Sequence, residues 1–266
     1  MTDADATRQR SDLGAGHTHA LYIHEHSRLH DVAPEVKIVA ALGFVISVAI
    51  TPRRAILAFG LYALVVLALA LWSRVPVRFL ALRLTAVLPF IAFAVVIPFV
   101  ASGTQTEILG MQVSVEGLWG SWNIMVKALL GASVSILLTA TTEIPEIIRG
   151  LGLLKVPATF TGIATFMIRY LELITDELSR VRVAMTSRGY DPRWLHQTRP
   201  IATSAGAMFV RSYERGERVH AAMLARGFDG EMPDFGKRRG TRWEWVGVVT
   251  MVGALSSIAV VALVST

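Results

Sequence analysis

The chain has 266 residues, of which 53% are hydrophobic and only 17% charged, with a formal net charge of +6 and no cysteine. Soluble domains carry roughly 25% charged residues, so the deficit, with a mean hydropathy of +0.51, excludes an ordinary soluble globule and points to membrane spans of about 20 apolar residues each. The absence of cysteine excludes disulfides and thiolate metal sites and leaves the redox compartment open.

Residues 1–35 are polar and have no apolar core region, so they do not read as a signal peptide. They hold His17, His19, His24, His26 and His30. Spacings such as His24-x-His26 suit a metal. Although Glu25 and Asp31 are near, no acidic or cysteine set completes a fixed-geometry site, and the segment reads as a peripheral tail or amphipathic lead-in.

Residues 36–50 are apolar but short, and Thr51-Pro52-Arg53-Arg54 breaks the run. Residues 55–72 resume it, uncharged and apolar on every face, unlike the striped helices of a soluble hairpin. Two spans joined by a tight proline turn are expected, the first tilted or partly interfacial. Residues 73–83 carry Arg74, Arg78 and Arg83 without an acid, as a cytoplasmic loop does. A third span, 84–101, contains Pro89 and Pro98, which remove helix hydrogen bonds and kink it. Residues 102–117, free of Arg and Lys, read as an external loop. The fourth span, 118–141, contains Lys127, which is a functional intramembrane charge, a snorkelling lysine or the mark of a loosely placed span; these readings stay open.

Composition changes at Thr142. From there to Glu244 the chain has 16 Arg or Lys and 12 Asp or Glu in 103 residues, the charge density of a soluble domain. Residues 245–264 form an uncharged fifth span, led in by Trp243 and Trp245 at the interface. The expected architecture is all-α: a polytopic membrane protein of about five transmembrane helices with an α-helical cytoplasmic excursion. Its parts are a polar N-terminal segment (1–35), membrane helices one to four (36–141), cytoplasmic coupling helices (142–244) and a final membrane helix (245–266). Five spans place the N-terminus inside and the C-terminus outside a cell inner (plasma) membrane. Arg53 and Arg54 run against that orientation.

Within the excursion, residues 143–154 form a short helix, with Pro145 in its first turn, Thr141 or Thr142 as its cap and Pro157 ending it. Residues 157–188 form one long helix, its first half mostly apolar. Its second half bears Leu171, Ile174, Leu178, Val181 and Met185 at helical spacing. Residues 201–226 form another, with a stripe of Ile201, Ala205, Met208, Ser212, Val219 and Met223 beside a row of Arg211, Arg215 and Arg218. Glu214 and Arg218 stand at i,i+4, a pair worth a few tenths of a kcal/mol. Both helices end alike, in Ser187-Arg188-Gly189-Tyr190-Asp191 and Ala225-Arg226-Gly227-Phe228-Asp229. Glycine supplies the left-handed stop, and Pro192 forbids continuation of the first helix. A small residue before the arginine allows close approach. The guanidinium presents a rigid fork that grips a carboxylate at two points. One arginine at a helix C-terminus would merely complement the dipole, worth about 0.3–1 kcal/mol. Two copies followed by the same aromatic and acid read instead as docking tips for two equivalent partners, each a hot spot worth roughly 2 kcal/mol or more at a desolvated interface.

Other chemistry is poorly supported. No P-loop, dinucleotide fingerprint, HExxH or GxSxG element is present, so ATP binding by this chain is not expected. Glu172, Asp176 and Glu177 read as surface charges rather than a metal or proton site. The basic excess fits loops at a membrane rather than a nucleic-acid patch, because the aromatic interleaving that RNA binding uses is missing.

These residues resemble a family: the transmembrane T component of energy-coupling-factor transporters, and most closely its cobalt-type branch, CbiQ. The resemblance covers residues 24–264. It is strongest from Arg211-Ser212-Tyr213-Glu214-Arg215-Gly216-Glu217-Arg218-Val219 into Ala222-Met223-Leu224-Ala225-Arg226-Gly227-Phe228. His26-Ser27-Arg28-Leu29-His30, Pro34-Glu35-Val36-Lys37, Arg169-Tyr170 and Asp176-Glu177 are also similar. The family pattern is Ala-Arg-Gly twice; Ala225-Arg226-Gly227 matches it, and Ser187-Arg188-Gly189 departs only by serine. The resemblance implies a non-catalytic permease subunit with no cofactor of its own. Ser187, Arg188, Gly189, Ala225, Arg226 and Gly227 would seat in two ATP-binding cassette ATPases that carry the ATP, and a separate membrane substrate-binding (S) subunit would capture the cargo. Cobalt is the cargo that the branch implies, with nickel, biotin or another vitamin as alternatives. A membrane adaptor or enzyme that uses the basic region for lipid or a soluble partner is the alternative of another class.

Overall fold

The computed structural model describes residues 32–73, 77–100, 105–108, 111–190, 199–230 and 239–264. The histidine-rich N-terminal segment and Asp191 lie outside the described residues. Contacts divide the chain into two compact units: a helical unit drawn from Lys155–Phe235, and a membrane unit comprising the stretch up to Leu154 together with the segment from Gly236 onward.

The membrane unit contains α1 (Pro34–Ile50), α2 (Ile56–Trp72), α3 (Val77–Leu84), a 3-10 turn (Thr85–Val87), α4 (Leu88–Val100), a hairpin of β1 (Gln105–Ile108) and β2 (Met111–Ser114), α5 (Val115–Thr141), α6 (Ile144–Leu153) and α9 (Arg242–Val264). The segments Arg78–Val100, Val115–Thr141 and Arg242–Val264 are long and apolar enough to cross a membrane. The helices α1 and α2, 17 residues each, reach about 25 Å at 1.5 Å per residue. The protein is an all-α polytopic membrane protein.

Its core is formed by Phe44 and Val48 of α1, Phe59, Tyr62 and Val66 of α2, Leu130, Val134 and Leu137 of α5, and Leu255 of α9. Lipid supplies no hydrophobic drive between helices, so close backbone approach and hydrogen bonds carry the packing. A Cβ at Gly43 would stand 2.7 Å from Val252 Cγ2, which shows how near α1 and α9 lie. Tyr62, fully buried, donates its hydroxyl to the Leu255 carbonyl at 3.1 Å and shares a hydrogen bond with Thr51 Oγ1 at 3.1 Å. Ser47 and Ser256 hydroxyls meet at 3.2 Å. These bonds join α1, α2 and α9.

Several local expectations change. The third long helix starts earlier than 84: Val77–Leu84 is helical, so most of the expected 73–83 loop belongs to it. The Arg83 guanidinium stacks over the Phe79 ring 4.0 Å from its centre, a cation–π contact that lets a charge sit on this helix. Pro89 lies in the first turn of α4 after the 3-10 turn, where its missing N–H is harmless; only Pro98 is interior. The expected 102–117 loop holds the β hairpin, paired Gln105 with Ser114 to Ile108 with Met111. Ser114 then caps α5 by accepting from Gly117 N–H. The expected threonine cap of α6 is absent: Glu143 occupies the N-cap, while Thr142 Oγ1 accepts from Lys37 and Thr141 Oγ1 donates to the Leu137 carbonyl.

The second unit is two long helices, α7 (Ala158–Ser187) and α8 (Arg199–Ala225). Neither has a buried residue. A pair so thinly covered leaves large apolar side chains exposed, among them Phe160, Met167, Phe209 and Leu224.

Candidate functional site

The two arginines end their helices in the same way. Arg188 is the C-cap residue of α7, and Gly189 follows with φ +77°. Gly189 N–H donates to the Thr186 carbonyl at 2.9 Å and Tyr190 N–H reaches back to the Met185 carbonyl at 3.1 Å. On α8, Gly227 has φ +82°, and its N–H donates to the Leu224 carbonyl at 3.0 Å while Phe228 N–H reaches the Met223 carbonyl at 3.0 Å. Both are Schellman closures, in which the second residue past the cap bonds back to a carbonyl five positions earlier. The positive φ is why glycine stands there, since a Cβ would be strained. Ser187, Arg188, Gly189, Ala225, Arg226 and Gly227 are all exposed. Among the described residues neither Arg188 nor Arg226 has an ion-pair partner.

The repeat is longer than the tips. At an offset of 38 positions Arg180, Val181, Ala184, Met185, Arg188 and Gly189 match Arg218, Val219, Ala222, Met223, Arg226 and Gly227. Burial follows the same offset: Phe166, Tyr170, Ile174, Glu177, Val181, Met185 and Tyr190 are half-buried, and so are Ser204, Met208, Ser212, Arg215, Val219, Met223 and Phe228. The terminal Arg-Gly-aromatic pattern is plain in the sequence. The role of the methionine, whose carbonyl closes each Schellman turn, is visible only in the fold.

Where α7 and α8 meet, Glu177 is the hub. Its Oε1 accepts from Arg211 Nε at 2.8 Å, and its Oε2 lies 3.6 Å from Arg215 Nη2. Glu177, with its side chain 14% exposed, is therefore not the solvated surface charge expected; Asp176 is exposed, and Glu172 has an interaction partner. The row Arg211, Arg215 and Arg218 splits in use, since Arg218 pairs within α8 with Glu214 at 3.9 Å. Farther along, a groove of about 290 Å³ is walled by Phe166 and Tyr170 of α7 and by Val219, Met223 and Phe228 at the end of α8. Later residues of α8 thus meet earlier residues of α7, so the helices cross in opposite chain sense, and the Arg188 and Arg226 tips lie on opposite sides of the Glu177 contact.

Lys127 has a structural use that none of its sequence readings contained. Its Nζ donates to the Ala49 carbonyl at 2.8 Å. Ala49 belongs to the last turn of α1, whose carbonyls lack intrahelical partners, and a cation there offsets the helix dipole. Among the described residues no group of three or more His, Asp or Glu is placed to hold a metal ion.

These features define a class: a polytopic membrane protein with a separate helical unit bearing two equivalent, exposed arginine tips. The sequence profile of the CbiQ family, described as cobalt transport protein, matches residues 25–235. The chain is similar to the energy-coupling factor transporter transmembrane protein EcfT of Streptococcus thermophilus, 26% identical over 258 residues, covering 91% of this chain and 94% of that one. It is 26% identical over 223 residues to EcfT of Listeria innocua, covering 79% and 83%. Similarity to the cobalt transport protein CbiQ of Rhodobacter capsulatus is 26% over 165 residues, covering 61% and 65%. The chain belongs to the CbiQ family of cobalt transport proteins and is a transmembrane T component of the energy-coupling-factor type.

Proposed function

We propose that this chain is the non-catalytic coupling subunit of an ATP-driven importer, and that its two arginine tips seat in two cassette ATPases on the cytoplasmic side of the plasma membrane. The observation that carries the reading is the duplicated helix end, Met185 to Tyr190 and Met223 to Phe228, with the same closure and the same exposed guanidinium. A paired surface of this kind suits a paired partner. A glycine-terminated helix lets the partner's backbone approach, and an exposed guanidinium gains most when it meets a carboxylate in a desolvated pocket. ATP stays on the ATPases, and movement of the α7–α8 unit would be passed to a substrate-binding membrane subunit. Cobalt is the proposed cargo on the strength of the family's description; nickel or a vitamin is the alternative, since relatives named EcfT carry no metal in their names.

The test is co-expression with a pair of cassette ATPases and a substrate-binding membrane subunit of the energy-coupling-factor type. Wild type is expected to purify with them and to stimulate ATP-dependent uptake in liposomes. Arg188→Glu with Arg226→Glu is expected to lose both. Retained association and coupling in that double variant would refute tip docking, and uptake assayed with Co²⁺, Ni²⁺ and biotin would identify the cargo.

A further inference from the structure

We propose that the first turn of α1 is a clasp that holds together the two places where the chain leaves and re-enters the membrane unit, with Glu35 and Lys37 as its positioning residues. The chain leaves after α6, at Leu154, and returns ahead of α9. Both connections are tied to Pro34-Glu35-Val36-Lys37.

On the outgoing side, α6 lies against α1 backbone to backbone. A Cβ at Gly150 would stand 2.9 Å from Ile38 Cδ1, 3.0 Å from Glu35 N and 3.2 Å from Pro34 C. Backbone cannot swing away as a side chain can, so the contact is stiff. On the returning side, Glu35 Oε1 accepts from Gly240 N–H at 2.6 Å. A Cβ at Gly240 would meet Val36 Cγ2 at 2.6 Å and Trp245 Nε1 at 2.9 Å. The next residue begins α9 with a capping box: Thr241 N–H donates to Glu244 Oε2 at 2.7 Å and Glu244 N–H donates to Thr241 Oγ1 at 3.4 Å. Lys37 Nζ adds the third tie, donating to the Thr141 carbonyl at 3.0 Å and to Thr142 Oγ1 at 3.3 Å, at the joint between α5 and α6.

Glu35 and Lys37 are 4% and 8% exposed. Burying charged side chains is costly, and well-packed apolar residues would stabilise the same junction at least as well. Glu35 Oε2 is buried with no hydrogen-bond partner among the described residues, so the carboxylate is not arranged for maximal stability. What it does achieve is a fixed relation between the outgoing and returning connections. Resting on the proposed coupling function, the clasp makes both connections move α1, α5 and α9 as one body.

The cysteine-free chain makes the test direct. Spin labels at Glu146→Cys on α6 and Arg242→Cys on α9, both exposed positions, report the separation in the full chain in nanodiscs. Wild type is expected to give one narrow distance. Glu35→Leu is expected to broaden it, whereas Glu35→Gln, which keeps a carbonyl for Gly240 N–H, leaves it narrow. Gly240→Ala opens the clasp from the other side without removing a buried charge and is expected to broaden the distance too. In the assembled transporter, Glu35→Leu is expected to lower cargo moved per ATP by about 5-fold or more, the scale of a working coupling, at unchanged ATPase assembly. A distance that stays narrow in Glu35→Leu and Gly240→Ala overturns the clasp, as does a loss of uptake matched by equal losses of assembly and melting temperature. If wild type shows no ATPase-driven uptake, the coupling function fails while the distance measurement still decides the clasp.

Discussion

Glu177 of α7 and Arg215 of α8 face each other with Oε2 and Nη2 3.6 Å apart, and they occupy the same place in the two copies of the repeat, 38 positions apart like Arg188 and Arg226. Each tip therefore lies 11 residues beyond the shared contact, about 16 Å along its own helix. The opposite chain sense of the two helices at the crossing places the tips on opposite sides of it. The contact behaves as the pivot of a nearly two-fold device, with an acid on one side and a base on the other where strict symmetry would set like against like.

Breaking the pivot should loosen the spacing of the tips more than it unfolds the helices. Glu177→Ala removes the partner of both Arg211 and Arg215. The pair is partly solvated, so the stability cost is modest, about 1 kcal/mol. Spin labels at Ser187→Cys and Ala225→Cys are expected to show a broader distance distribution in Glu177→Ala at unchanged helical circular dichroism. The exchange Glu177→Arg with Arg215→Glu is expected to narrow it only in part, because Arg211 then meets a like charge.

The glycine positions are expected to be equivalent. Gly189→Ala and Gly227→Ala each place a Cβ on a left-handed backbone, at a cost of about 1 kcal/mol. Nothing lies within 4 Å of where either Cβ would stand, so conformation rather than crowding sets the cost. Hydrogen exchange at the Tyr190 and Phe228 amides is expected to speed up in the matching variant only. Asparagine at either position is expected to be milder.

Lys127→Met should weaken the end of α1. It leaves the Ala49 carbonyl without its donor, and hydrogen bonds to charged groups contribute about 1.5–3 kcal/mol. Melting of the protein in detergent is expected to fall for Lys127→Met and to be largely restored by Lys127→Arg, which keeps a donor and the charge.

Tyr62→Phe removes one hydroxyl from the buried contact of α1, α2 and α9 and leaves Thr51 and the Leu255 carbonyl to find other partners. A loss of about 1–3 kcal/mol is expected, read as a lower melting temperature, with the tips' distance distribution unchanged because they belong to the other unit.

The helices of the membrane unit were legible because uncharged apolar runs are hard to read any other way, and the tips were legible because glycine after arginine is a local stop signal. What escaped the sequence depended on partners distant in the chain. Glu177 looks solvated until Arg211 and Arg215 are folded against it. Lys127 looks like a stray intramembrane charge until the end of α1 arrives beside it. The helical start at Val77 escaped because Arg78 and Arg83 suggest a loop, and a loop assignment does not foresee the stacking of Arg83 on Phe79. Gly150 and Gly240 carry no signal of their own, since close approach between segments is a property of the pair.

Native mass spectrometry of the purified complex tests the central claim most directly, by counting cassette ATPases per copy of this chain. Two ATPases are predicted for wild type, one for Arg188→Glu, one for Arg226→Glu and none for the double variant. Two ATPases still bound in the double variant would contradict docking at these tips.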